Sequence, residues 1–420
     1  YHAADGYVAK LIQAGHKVAI VEQVGSTEGK GLVDREVVRV VTPGTVVESS
    51  LLEERRNNYL AAVVVEGSGA GLAYADITTS EFAATQFSGE DAFRLLLEEI
   101  GRLRPVEVVS SNPEILTARD DASLSSLAVS ESERWPFELD TARQSLLDHF
   151  EVRSLDGFGM GGRPFAVRAA GGLLHYLAET QKGRLAQLTG LQTYTTDGFM
   201  MLDVATRRNL ELTETLRRGE AKGSLLGVLD LTTTSMGARR LRQWLNQPLL
   251  QLEPLNQRLD TVKALYGDTP VRTRLRALLK DVSDLERLSS RVVQGIARPR
   301  ELQGIRQSLK VLPEIQEAAD GMSASSKFLG TLGSLEPCED VVSLIDQALT
   351  DEPPPKLGGG GVIRQGFSAE LDNIVSASSD AKAWVANLEK RDQARTGIKN
   401  LKVGYNKVFG YYLEVTKANL

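Results

Sequence analysis

Pro353-Pro354-Pro355, followed by Gly358–Gly361, interrupts this chain more decisively than any other stretch. Proline lacks an N–H and its ring clashes with the preceding turn, while glycine loses the most backbone freedom on ordering. Neither a helix nor a strand runs through such a segment, which reads as a flexible linker. On its far side a helical pattern runs without a break from Ser368 to Arg395. Leu371, Ile374, Ala381, Val385 and Leu388 fall at spacings of 3, 7, 4 and 3. At 1.5 Å per residue such a helix spans about 40 Å, more than a compact domain needs, so it is expected to project as an arm. Leu401–Tyr405 and Tyr411–Val415 then flank Asn406–Gly410 and read as a β-hairpin at the arm's end.

Upstream, the pattern changes twice. Residues 1–45 give one helix, with Tyr7, Val8, Leu11 and Ile12 on a face, Asp5 as a cap and Gly15 as its end. Two strands follow, Lys17–Gln23 and Glu36–Val41, stopped by Thr42-Pro43-Gly44. That is too little to bury a core alone. Residues 52–160 read as β-β-β-α-β: strands at Tyr59–Val65, Leu72–Ile77, Glu81–Phe87 and Val106–Val109, with a helix over Phe93–Leu103. A mixed sheet with packed helices is expected. From about 165 to 350 apolar stripes recur at helical spacing. Leu173, Leu174 and Leu177 form the first. Ser235 is read as the cap of a helix carrying Leu241 and Trp244. Further stripes are Leu255–Leu265, Leu285–Ile296 and Leu302–Leu309. All are expected to be core faces packing helix on helix. The fold class is therefore multidomain, α/β followed by α, as 420 residues also suggest.

Composition narrows the chemistry. Hydrophobic residues make up 42% and charged residues 25%, which excludes wholesale disorder. No apolar run approaches the ~20 residues that cross a bilayer. The single cysteine, Cys338, forms no internal disulfide, fits a reducing compartment and lies among acids that would raise a thiol pKa. The four histidines are scattered, so no metal site is expected. Gly25-Ser-Thr-Glu-Gly29-Lys30-Gly31 has three residues between its first glycines and no Ser or Thr after the lysine. A phosphate-cradling loop needs four, and that hydroxyl. Asp76, at a strand end, could serve a two-metal nuclease only with further carboxylates on neighbouring strands, and none stands out. A turn or cap residue is the simpler reading. Net charge is −6, yet residues 200–310 carry 20 basic against 12 acidic side chains and residues 390–420 carry 7 against 2. Such local excess can hold phosphates or can simply cover solvated helix faces.

Within the hairpin region Lys399, Lys402, Lys407 and Lys417 accompany Tyr405, Asn406, Tyr411 and Tyr412. A basic tip bearing amides and aromatics can contact a duplex backbone without reading its sequence. The alternative is an ordinary hairpin whose tyrosines are core.

Several stretches resemble one family when taken in order. Tyr1-His-Ala, Lys10-Leu-Ile, Val18–Gln23 and Val38–Thr45 are similar to the mismatch-binding domain of bacterial MutS DNA mismatch repair proteins. Asp203–Glu211, Leu229-Asp230, Thr234–Arg240, Asp284–Arg287 and Ala297–Arg300 are similar to its core. Leu401–Asn406 and Gly410–Tyr412 are similar to its clamp. The resemblance implies a division of labour. Residues 1–45 would end the mismatch-binding domain, 52–160 would be a non-catalytic RNase H-like connector, 165–358 the first part of a helical lever core, and 361–420 the outgoing lever helix with part of the clamp. It implies that the chain is an internal piece of a longer protein. The family's mismatch-reading Phe-x-Glu element would precede Tyr1, and an ATPase domain with ATP and Mg would follow Leu420. No cofactor is expected in the chain itself. Expected partners are double-stranded and mismatched DNA, a second copy in the full-length homodimer and a MutL-type repair protein, in the cytoplasm and with no membrane. Asn406 falls where the family places a clamp residue near the DNA backbone. Lys407 extends that as its neighbour, and Lys399 and Lys402 are added on charge.

Overall fold

The computed structural model describes residues 4–23, 34–117, 127–320, 327–354, 360–406 and 410–415. Two compact units result, Tyr1–Val342 and Ser343–Leu420. The division falls before the Pro/Gly break, because the chain is pinned across it. Leu349 and Ile363 form an antiparallel bridge, Thr350 N–H donates to Val362 O at 3.1 Å, and Arg364 N–H donates to Ala348 O at 2.8 Å. The flanks of the break, residues 348–350 and 362–364, are therefore bridged to each other within the second unit rather than held apart as two domains, while residues 355–359, on which the linker reading falls, lie outside the described residues.

The first unit opens with α1 (Ala4–Gln13), β1 (Val18–Gln23) and β2 (Arg35–Val41), the two strands antiparallel. Asp5 lies inside the first turn of α1 and is not its cap, whereas Gly15, at φ 82°, does end it. The phosphate-loop look-alike at 25–31 lies outside the described residues. Next come β3 (Leu60–Glu66), β4 (Gly69–Asp76), β5 (Glu81–Ser88), α2 (Ala92–Leu103), β6 (Glu107–Ser110), the single turn α3 (Glu114–Thr117), β7 (Ala128–Glu131), α4 (Leu139–Phe150), α5 (Pro164–Gln181) and β8 (Gln192–Thr193). The sheet order is β7-β6-β3-β4-β5-β8. The β3-β4-β5 meander is antiparallel, and β6, β7 and β8 pair in parallel.

Alternation along the strands divides the core between two faces. Leu60, Ala62 and Val64 of β3 face α4 and α5 with Phe137, Leu146, Leu173 and Leu177. Ala61 and Val63 face α2 with Leu96 and Ile100. The helix α5 thus belongs to the sheet and not to a helical region beginning near 165. Its small residues permit that approach: a Cβ on Gly171 would collide with the Ala142 backbone, and one on Gly172 with the Phe137 ring.

The carboxylate of Glu107 in β6 is wholly buried. Its Oε2 accepts from Thr42 Oγ1 at 2.5 Å and Gly44 N–H at 2.9 Å. Its Oε1 accepts from Ser130 Oγ and Tyr176 OH, both at 2.6 Å. A carboxylate offers about four acceptor sites, and all are filled. Burial, and then the charge of Glu107, push the Tyr176 phenol above its usual range, so it stays a donor. The donors belong to the turn after β2, to β7 and to α5, so one side chain fastens the small N-terminal element to the sheet.

The rest of the first unit is helical: α6 (Val204–Asn209), α7 (Leu225–Leu229), α8 (Ser235–Asn246), α9 (Leu252–Gly267), α10 (Thr269–Leu278), α11 (Leu285–Val293), α12 (Pro299–Asp320) and α13 (Lys327–Leu332). The cap of α8 is Thr234, whose hydroxyl accepts from Gly237 N–H at 3.0 Å; Ser235 is the first helical residue. The stripes do not all enter a core. Leu265 joins Leu275, Val311 and Ile315. Leu255, Leu259 and Val262 on α9 stay exposed, because α9 packs mainly near its C-terminal end.

Arginines join these helices to the loops around the sheet. The Arg239 side chain, only 4% exposed, donates to both oxygens of Asp284 at 2.6 and 2.8 Å, to Glu286 at 2.6 Å and to Glu54 O at 3.0 Å. Asp284 also caps α11 through Arg287 N–H. Arg287 donates to Arg56 O at 2.7 Å, Arg291 to Val47 O at 3.0 Å and Ser290 to Ile77 O at 2.8 Å. Part of the positive charge of residues 200–310 is therefore directed at internal acceptors. Removing Arg239 leaves the largely buried Asp284 without its bidentate partner, so Arg239→Ala should destabilise the first unit by about 3 kcal/mol, read from denaturant unfolding.

Candidate nucleic-acid interface

The second unit begins within α14 (Glu339–Ala348), whose N-terminal end belongs to the first. It carries α15 (Ala369–Thr396), β9 (Lys402–Asn406) and β10 (Gly410–Glu414). Ser368 Oγ accepts from Leu371 N–H at 3.3 Å and starts α15; Gly397, at φ 72°, ends it with its N–H on Gln393 O. At 1.5 Å per residue its 28 residues span about 42 Å. Its outward positions include large apolar groups, with Ile374, Val375 and Trp384 all more than half exposed.

The hairpin is fixed to the end of this helix by side chains one turn apart. Gln393 Nε2 donates to Leu401 O at 2.8 Å, and Val403 N–H donates to Glu389 Oε2 at 3.2 Å. Leu401 is buried at the junction. Within the hairpin Tyr405 pairs with Tyr411, Gly404 with Tyr412 and Lys402 with Glu414. The Tyr412 ring covers the space a Cβ on Gly404 would occupy, yet 43% of the residue remains exposed. It is thus neither core nor free.

Of the four proposed contact residues, Lys399 lies exposed between α15 and β9, and Lys402 is exposed at the base of β9. Asn406 ends β9, paired with Gly410, about 13 Å along the strand from Lys402. Lys407 lies outside the described residues. Glu389 and Gln393, which hold the hairpin, were not singled out by sequence; their i, i+4 spacing on the last turns of α15 is the available signal.

The strand-end carboxylate is occupied otherwise. Asp76 is buried and accepts from Asn57 Nδ2 at 3.1 Å, Asn58 N–H at 3.0 Å, and Thr78 N–H and Oγ1 at 2.9 and 2.6 Å. Glu81, opposite it in the ladder, accepts from Tyr59 OH at 2.9 Å and Tyr74 OH at 3.2 Å. Burial raises its pKa. Among the described residues no three His, Cys, Asp or Glu are placed to share a metal ion. No described helix is long and apolar enough to cross a membrane.

Family models for three successive parts of one protein match in order: MutS domain I over residues 1–50, MutS domain II over 58–189 and MutS domain III over 205–408. The chain belongs to the MutS family. Among its relatives, the DNA mismatch repair protein MutS of Symbiobacterium thermophilum is 47% identical over the whole chain, which covers 48% of that protein. Those of Halothermothrix orenii and Alkaliphilus oremlandii are 41% and 40% identical, again over the whole chain, which covers 47% and 48% of them. The chain thus spans about half the length of the MutS proteins it matches. The domain II match ends at 189, close to where the sheet closes with β8.

Since Glu389 accepts the Val403 N–H near the start of β9, Glu389→Ala should speed amide exchange at Val403 about tenfold. Exchange in β3 and β4 should stay unchanged in the same experiment.

Proposed function

We propose that this chain forms the connector, lever and part of the DNA clamp of a mismatch-recognition protein acting in post-replicative repair. The observation that carries the reading is the ordered match to MutS domains I, II and III, with the exposed basic hairpin held at the end of α15 inside the domain III match. The six-stranded sheet corresponds to the RNase H-like connector. The arginine-joined helices correspond to the lever core, and α15 with β9 and β10 to the outgoing lever helix and clamp.

In this account the hairpin grips the duplex backbone through Lys399, Lys402, Asn406 and Lys407. Such contacts supply affinity and register but not sequence information. Discrimination of a mismatch comes from the lower cost of bending and unstacking a mispaired step, exploited by an inserted aromatic elsewhere in the full-length protein. ATP and Mg act in a separate domain of that protein, which works as a homodimer with a MutL-type partner in the cytoplasm. The lever helices couple nucleotide state to DNA grip.

The test is made in the full-length protein. Lys407→Ala should weaken matched and mismatched duplex binding equally and reduce the slope of log affinity against log salt by about 1. Lys402→Ala should act in the same direction. An unchanged slope, or a loss confined to mismatched duplex, contradicts a backbone contact at these positions.

A further inference from the structure

Between the sheet and α8 the first unit has a small, partly open cavity of about 40 Å³ whose lining contains Arg56, Arg102, Arg104, Arg239 and Arg242 and no acidic residue. Two of these cations have carboxylates of their own. Arg102 is paired to Glu99, and Arg239 to Asp284 and Glu286. Arg104 and Arg56 share a single one, Glu214, at 2.8 and 4.0 Å. Arg242 has none: it makes no ion pair among the described residues, and its Nε is buried without a hydrogen-bond partner. Arg56, Arg104 and Arg242 thus have two carboxylates near them, Glu214 paired to the first two and Glu53 acting on Arg242 from farther off, so cations outnumber counter-charges around the cavity. Burial, and then the charge of Arg56, depress the Arg242 pKa against the opposing pull of Glu214 and Glu53.

The geometry points to a binding site for a small tetrahedral oxyanion, of the phosphate class, coordinated by Arg242, Arg104 and Arg56 at the joint between the sheet and α8. Guanidinium groups present planar paired donors that suit such oxygens. At roughly 10–15 Å³ per water position the cavity holds about three, the scale of one oxyanion and too little for a nucleoside. An anion there neutralises the arginine excess and ties the segment before β3, β4 and the end of α2 to α8, so occupancy stiffens the joint on which the helical part is mounted. Free orthophosphate and a phosphodiester share the chemistry, and only the first fits. The site rests on these arginines alone and not on the DNA-binding reading above.

Thermal unfolding of the 420-residue chain is followed with potassium phosphate against potassium chloride at equal ionic strength, alongside ³¹P line broadening of orthophosphate. Phosphate should raise the midpoint by about 2 °C per tenfold concentration once the site is saturated. Chloride should not, and a dinucleotide carrying one phosphodiester should not. Arg242→Gln should abolish both the shift and the broadening. If that variant does not fold, Arg104→Gln is read instead, with the same expectation. Equal shifts in phosphate and chloride, a shift with the dinucleotide, or a phosphate response that survives both substitutions overturns the assignment.

Discussion

The carboxylate of Glu107 has been taken out of water, and the arrangement of the first unit follows from how that charge is satisfied. Isolated, it would be among the costliest groups in the molecule to bury. With two donors on each oxygen the cost is offset, but only while the Thr42–Thr45 turn, β7 and α5 hold their positions together. Apolar packing alone would let these pieces slide, since burial of surface is non-directional. The carboxylate fixes them in register, and the N-terminal element has little core of its own beyond Val8, Val41 and Val46.

A second polar joint works by the same logic with the signs reversed. Arg239, Arg287 and Arg291 extend guanidinium groups from α8 and α11 to carbonyls at Glu54, Arg56 and Val47. Backbone carbonyls at loop positions lack ladder partners, so arginines meet an existing demand. Together the two joints make one body of the N-terminal element, the sheet and the helices.

Legibility in the sequence tracked how local the cause was. The meander β3-β4-β5 and the helix α15 came within a residue or three of their observed limits, since turn residues, caps and apolar spacing act over a few positions. The placement of α5 did not: its leucine stripe says that a face is buried, not what buries it. The clue was the small-residue run Ala169-Ala170-Gly171-Gly172, suited to close approach. Glu107 interrupts an otherwise apolar strand, Val106–Val109, and that interruption is itself a signal of a buried partner. Arg239 and Asp284 are 45 residues apart, and nothing local announces their meeting. For the hairpin, the family resemblance nominates Asn406, while the attachment through Glu389 and Gln393 is visible only in the structure.

The measurement closest to the centre of this account is amide hydrogen exchange on Glu107→Gln, compared residue by residue with the parent chain. An amide replaces one acceptor oxygen by a donor that faces either Thr42 and Gly44 or Ser130 and Tyr176. The account predicts faster exchange at Gly44 and Thr45 and along β6 and β7, with β9 and β10 unaffected. Unchanged protection at Gly44 and Thr45, or a uniform rise across both units, would show that the N-terminal element is held by something other than this carboxylate.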